Sequence, residues 1–215
     1  MNITSKNRIG RTRVKVCGIT RVEDAISAVE SGADAIGFVF FEGSPRYINQ
    51  EKAAEIVKVL PPFVSKIALF VNAVETEIRS VLDSVSIDLL QFHGEESPEE
   101  CRRYGKPYIK VVRMHDDIDL IQLSDDYADA SALLLDSFVE GIQGGTGQRF
   151  DWSRVPADLN KLIILAGGLT VKNVAAAIRE VSPYAVDVSG GVEIGKGIKD
   201  AVMIEEFIQE VIHAK

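Results

Sequence analysis

Cys17 ends the apolar run Val14–Cys17, with Lys15 two residues earlier in the same run. In an extended strand these two side chains share a face. If that face lies inside the protein, a buried ammonium favours the thiolate, the form in which cysteine acts as nucleophile or base. The bland alternative is a small buried hydrophobe, as most free cysteines are. Asp136 ends a second run, directly after Leu133–Leu134–Leu135. A carboxyl in that setting is costly to bury as an anion, and desolvation favours the protonated form that a general acid needs. Its alternative is a loop-entry aspartate that accepts backbone amides. Cys101 lies mid-helix among charged residues and reads as structural.

Anion-binding chemistry has its own candidates. Three glycine-rich turns occur: Gly144–Gly145–Thr146–Gly147, Gly167–Gly168 and Ser189–Gly190–Gly191. Bare backbone amides approach a phosphate closely, although glycine also serves simply to close tight turns. Arg46, in Ser44–Pro45–Arg46, can grip a carboxylate through two parallel bonds or stand solvated in its loop. His93 and His115 are available as bases for Cys17 or as polar fillers. No His-x-His, cysteine pair or acidic cluster offers metal-ligand spacing, so neither metal nor cofactor is expected.

These residues stand at the ends of short Val-, Ile- and Leu-rich runs. The runs are Val14–Cys17, Asp34–Phe40, Lys66–Val71, Ile87–Phe92, Pro107–Val112, Ala132–Asp136, Leu162–Ala166 and Ala185–Ser189. Each is nearly continuously apolar rather than alternating, the mark of a strand buried on both faces. Helical patterns separate them at Val22–Ser31, Gln50–Leu60, Val74–Ser84, Val171–Val181 and Ile204–His213. Ser97–Pro98–Glu99–Glu100 is a capping box with proline at the first helical position, and Gly105 closes that helix. Helices after the fifth and sixth strands are inferred from the alternation alone. Repeated strand–helix alternation predicts a single α/β (β/α)₈ TIM barrel, in which chemistry sits where strands pass into βα loops. An open doubly wound sheet competes less well, because Cys17–Gly18–Ile19–Thr20 replaces the dinucleotide-binding glycine pattern. The barrel lysine and the last strand add one more expectation. Strand eight of a closed barrel pairs with strand one, so Lys15 and Asp187 are expected to meet as a buried ion pair.

Composition narrows the function classes. The chain has 215 residues and a net charge of −8, which opposes general nucleic-acid or membrane-surface binding and leaves any anionic ligand to local donors. No apolar stretch approaches the roughly 18 residues of a membrane span. Two cysteines make no disulfide framework, so a reducing, cytoplasmic setting is expected. Residues 1–13 carry four basic residues and no acid, and read as a basic N-terminal tail ahead of a barrel domain at 14–215.

Taken in order, the motifs resemble one family. Val14–Lys15–Val16–Cys17–Gly18–Ile19–Thr20 is similar to the opening motif of phosphoribosylanthranilate isomerase, the tryptophan-pathway barrel enzyme. The similarity continues through Gly32–Phe38, Ser44–Arg46, Leu90–Gly94, Leu135–Asp136, Gly145–Gly147, Phe150–Trp152, Ala166–Leu169 and Asp187–Ser189. The resemblance implies an Amadori rearrangement that opens a ribofuranose and isomerises an aminoaldose to an aminoketose. Asp136 would protonate the ring oxygen, and Cys17 would remove the C2′ proton. Arg46 would hold the anthranilate carboxylate, and Gly167, Gly168, Ser189, Gly190 and Gly191 the phosphate. His93 and Gly145–Thr146–Gly147, inside matched motifs, are expected to touch the substrate. The family usually has Ser-Ser-Gly after strand eight, so Gly190 lacks a hydroxyl here. The implied partner is a small phosphosugar, with no nucleic acid or membrane, and the implied assembly is a monomer or homodimer. Competing readings are another phosphosugar isomerase or epimerase, a Cys17–His93 hydrolase, and a barrel that binds a phosphorylated ligand without catalysis.

Overall fold

Every continuous apolar run forms a strand, and the eight strands close on themselves. They are β1 (Arg13–Cys17), β2 (Ala35–Val39), β3 (Ser65–Phe70), β4 (Leu89–Phe92), β5 (Tyr108–Met114), β6 (Ala132–Ser137), β7 (Ile163–Leu165) and β8 (Ala185–Val188). The computed structural model describes residues 10–137, 150–157 and 159–214. Neighbouring strands pair in parallel around the ring, and β8 returns to β1 with Lys15 opposite Asp187. Burial on both faces explains the unbroken apolar runs. Outward side chains such as Val14, Ile36 and Leu133 pack under the helices, while Ile67, Val111, Leu134 and Ile164 fill the barrel interior.

The helices are α1 (Val22–Glu30), α2 (Gln50–Val59), α3 (Glu75–Ser84), α4 (Pro98–Arg102), α5 (Leu120–Asp126), α6 (Val174–Val181) and α7 (Ala201–His213). Their ends follow local chemistry. Asn49, Asp119 and Asp200 side chains accept from backbone amides in the first turns of α2, α5 and α7. The expected capping box opens α4: Ser97 accepts from the Glu100 amide, and Glu100 accepts from the Ser97 amide.

Two differences from the sequence reading have local physical causes. Helix α6 starts at Val174 rather than Val171, because Thr170 donates to the Asn173 side chain, which in turn donates to the Gly168 carbonyl. Asp200 starts α7 at Ala201, ahead of the expected Ile204. The helix expected after β6 falls largely on residues outside the described set, and the described part holds only a single 3₁₀ turn, Trp152–Arg154. A small antiparallel pair after β8, β9 (Glu193–Gly195) and β10 (Ile198–Lys199), has no counterpart in the sequence reading. At the other end of the chain, Arg11 forks the Asp34 carboxylate at 2.7 and 3.0 Å just before β1 begins. No described helix is long and apolar enough to cross a membrane.

Candidate active site

The C-terminal strand ends enclose a cavity of about 830 Å³. Cys17 reaches it from β1 and Asp136 from β6, so the two sequence candidates share one space. One wall is apolar: Val39 and Leu69 pack with Cys17, flanked by Phe41 and Val71. Polar side chains lining the same cavity are Gln91, His93, Asp136 and Asp187.

The expected ion pair is present, with Lys15 Nζ 2.9 Å from Asp187 Oδ2 and both side chains buried. A Cβ on Gly37 would stand 2.9 Å from Cys17 Sγ and 3.1 Å from Lys15 Nζ, so the bare glycine flank makes room for both. Burial alone would lower the Lys15 ammonium, but Asp187 and Cys17 raise it above its ordinary value, and it stays charged. That charge does not deliver the expected thiolate. Burial pushes the Cys17 thiol up, Lys15 opposes this, and Asp187 adds to it; the net direction is upward. The sequence reading anticipated both Lys15 and its partner Asp187, but not that burial would outweigh the cation at Cys17. Cys101, buried in α4, is pushed up to about 12 chiefly by burial and is inert.

Asp136 Oδ1 accepts from the Ser137 amide at 2.8 Å, and Oδ2 lies 3.3 Å from His93 Nε2 without the alignment of a hydrogen bond. His93 therefore stands against the acid, which removes support for a Cys17–His93 hydrolase. Its carbonyl accepts from Arg113, which fixes the loop after β4. His115 does not line the cavity. Three buried polar atoms of the cavity side chains have no hydrogen-bond partner among the described residues: Gln91 Oε1, His93 Nε2 and Asp187 Oδ1. Gln91 was not a sequence candidate; an uncharged polar residue directly after Leu89–Leu90 near the end of the run is the signal that marks it.

The two later glycine turns meet. Gly167 and Gly168 adopt φ of +80° and +66°, and a Cβ on Gly167 would stand 2.5 Å from the Ser137 amide nitrogen. A Cβ on Gly191 would collide with the Leu169 carbonyl, so the turns after β7 and β8 are in contact. Ser189 lines the cavity between these turns. Its hydroxyl donates to the Cys17 carbonyl at 3.0 Å and receives Lys199, so it ties β8 to β1. The turn Gly145–Thr146–Gly147 lies outside the described residues.

Arg46 is neither solvated nor open-handed. Its Nε and Nη2 each donate to Glu193 at 2.8 Å. Lys199 donates to the same carboxylate at 2.7 Å and to the Ser189 carbonyl at 3.1 Å. Burial would raise Glu193, but Arg46 and Lys199 outweigh it and hold the carboxyl below its ordinary range. Neither Glu193 nor Lys199 was a sequence candidate, since only the β9–β10 fold brings them to the site. Among the described residues no group of three or more His, Cys, Asp or Glu side chains could hold a metal ion.

Comparison with known proteins agrees with this geometry. The family model for N-(5'phosphoribosyl)anthranilate (PRA) isomerase matches residues 14–210. An N-(5'-phosphoribosyl)anthranilate isomerase of Nitrosococcus oceani is 57% identical over 201 residues, covering 94% of this chain and 98% of the relative. The crystal structure of phosphoribosyl anthranilate isomerase from Thermotoga maritima superimposes with a TM-score of 0.86 at 42% identity, covering 93% of this chain and 98% of that one. A structure of such an isomerase in complex with reduced 1-(o-carboxyphenylamino)-1-deoxyribulose 5-phosphate has a TM-score of 0.83 at 41% identity, with the same coverage. A family match over residues 14–210, together with a relative 57% identical over nearly its whole length, makes this chain a member of the N-(5'-phosphoribosyl)anthranilate isomerase family.

Proposed function

We propose that the cavity isomerises N-(5'-phosphoribosyl)anthranilate to 1-(2-carboxyphenylamino)-1-deoxyribulose 5-phosphate, in tryptophan biosynthesis, with Asp136 as acid and Cys17 as base. The observation that carries the assignment is that these two side chains stand at the C-terminal ends of β1 and β6 in one cavity, which Arg46 and the glycine turns after β7 and β8 also line. Asp136 gives its proton to the ribose ring oxygen as the C1′–O bond breaks, and the anthranilate nitrogen lone pair completes an imine. Cys17 thiolate then takes the C2′ proton, and the electron pair shifts to leave an enolamine that tautomerises to the ketone. Atoms balance within the substrate, so no external oxidant or reductant enters.

The rest of the cavity suits such a molecule. Val39, Leu69 and Phe41 offer a surface for the flat ring. Sugar hydroxyls satisfy Gln91 Oε1, His93 Nε2 and Asp187 Oδ1, whose burial without partners is otherwise costly. Backbone amides of Gly167, Gly168, Gly190 and Gly191 receive the phosphate, with Ser189 holding the turn in place. Arg46 receives the ring carboxylate. The net charge of −8 argues against a nucleic-acid partner, and two cysteines without a disulfide framework suit a cytoplasmic enzyme of a small phosphosugar.

Loss of anthranilate fluorescence from freshly made substrate tests the reading. Cys17→Ala and Asp136→Asn should each lower kcat by about 10²–10⁴ while substrate affinity persists. Cys101→Ala should leave it unchanged. Normal turnover by Cys17→Ala or Asp136→Asn would sink the corresponding assignment.

A further inference from the structure

Arg46 reaches the cavity with one edge already occupied. Its Nε and Nη2 make a side-on fork to Glu193, whose side chain is 6% exposed. Lys199, with a side chain exposure of 0%, holds the same carboxylate from behind and binds Ser189 as well. The arginine stem is pinned too, because a Cβ on Gly18 would stand 2.5 Å from Arg46 Cδ. What remains uncommitted among the described residues is the end-on edge, Nη1 with the second Nη2 hydrogen. A guanidinium has five N–H donors, and two are spent here, so a second carboxylate can be forked on that edge without breaking the first.

We propose that Glu193 is a positioning residue that stays on Arg46 throughout turnover and turns its end-on edge toward the ring carboxylate of the substrate. This rests on the reading that Arg46 binds that carboxylate. Two observations favour retention over displacement. Expelling Glu193 would strand the buried Lys199, and a buried cation left unpaired is strongly unfavourable. Charge also balances: two cations and one carboxylate leave a single positive charge, which one substrate carboxylate neutralises. The Lys199–Ser189 bonds join this clamp to the turn after β8, and Ser189 joins it to the Cys17 carbonyl. Glu193 thereby sets the carboxylate subsite relative to the strand that carries the base.

The test compares the natural substrate with the same phosphoribosylamine built on aniline, which lacks the carboxylate. Glu193→Gln keeps the volume and removes the charge and one acceptor. It should raise KM for the carboxylated substrate about 10–100-fold, the loss of a charge-assisted fork. Its kcat should stay within about threefold, and KM for the aniline analogue and inhibition by inorganic phosphate should not change. Glu193→Asp, which keeps the charge but shortens the reach, should raise KM for the carboxylated substrate by an intermediate factor and covers the case in which Glu193→Gln fails to fold. An unchanged KM in both variants overturns the proposal. So does a lower KM, which would mean that the substrate displaces Glu193, and so does an equal loss on both substrates, which would mean a merely structural role. Arg46→Met separates the underlying reading: if it affects both substrates equally, Arg46 does not bind the carboxylate and the fault lies there rather than with Glu193.

Discussion

Two buried lysine–carboxylate pairs flank the barrel wall, and they are built to opposite ends. Lys15–Asp187 lies inside the barrel at the cavity floor, with side chains 3% and 8% exposed; Lys110–Glu96 lies outside the wall, at 7% and 6%. The outer pair is saturated. Glu96 accepts from the Asn72 and Gly94 amides and from Lys110, while Lys110 also donates to the Gly94 carbonyl and lies 5.5 Å from the Tyr127 ring centroid. The inner pair is left incomplete: Asp187 Oδ1 has no partner among the described residues, and burial followed by Asp136 pushes that carboxyl up against the pull of Lys15. Equal burial therefore does not mean equal purpose. A saturated pair fixes a loop, here the one that follows β4 and carries His93. A pair with an acceptor to spare is arranged for a ligand.

Removing each lysine should separate these roles. Lys110→Met strands Glu96 and should cost about 3–5 kcal/mol of stability in a denaturation series, with kcat/KM of the folded protein held within a few-fold. Lys15→Met should lower kcat by about tenfold or more and should also destabilise the fold, by less than Lys110→Met, because Asp187 with its raised pKa can take up a proton. If the outer variant lost kcat, or the inner one kept both midpoint and rate, the contrast would fail.

The pH profile sharpens it. Turnover needs Cys17 as thiolate and Asp136 as acid, and a carboxyl group ionises well below a thiol. The two requirements then offset one another between the two ionisations, giving a plateau whose alkaline limb belongs to Cys17. Because burial raises that thiol, the limb should fall above the ordinary thiol value. Lys15 opposes the rise, so Lys15→Met should move the limb further alkaline and lower the plateau. In Asp136→Asn the alkaline limb should vanish, and residual kcat/KM should climb about tenfold per pH unit until the thiol ionises. A wild-type limb at or below the ordinary thiol value would show that Lys15 outweighs burial, and one unmoved in Lys15→Met would show that Lys15 has no electrostatic hold on the base.

The smallest effect is expected at Gly190. A Cβ there would stand 3.0 Å from Arg46 Nη2, so the guanidinium must yield by a few tenths of an ångström. Gly190→Ala should raise KM for the carboxylated substrate by a factor of about two to five, since charge-assisted bonds weaken with misalignment. Steady-state kinetics on the substrate and on its aniline analogue would show whether the change is confined to the former.

Much of this molecule is written locally in its chain. Burial on both faces forces nearly continuous apolar runs, so the eight strands and their closure were legible, as were the Ser97 capping box, Cys17 and Asp136 at strand ends and Arg46 in the loop after β2. Closure even fixed a long-range contact, because strand eight must lie beside strand one and so brings Asp187 to Lys15. What the strands could not announce was the net effect of charges once assembled. Lys15 alone reads as a cation that favours the thiolate; in the barrel Asp187 offsets it and burial prevails. Arg46 alone reads as an open fork, yet its Nε edge is taken by Glu193, 147 residues away, delivered by a two-stranded excursion with no periodic signature. Patterns of burial repeat along the chain and can be read from it. Ion pairing depends on distances between segments that only the folded barrel sets.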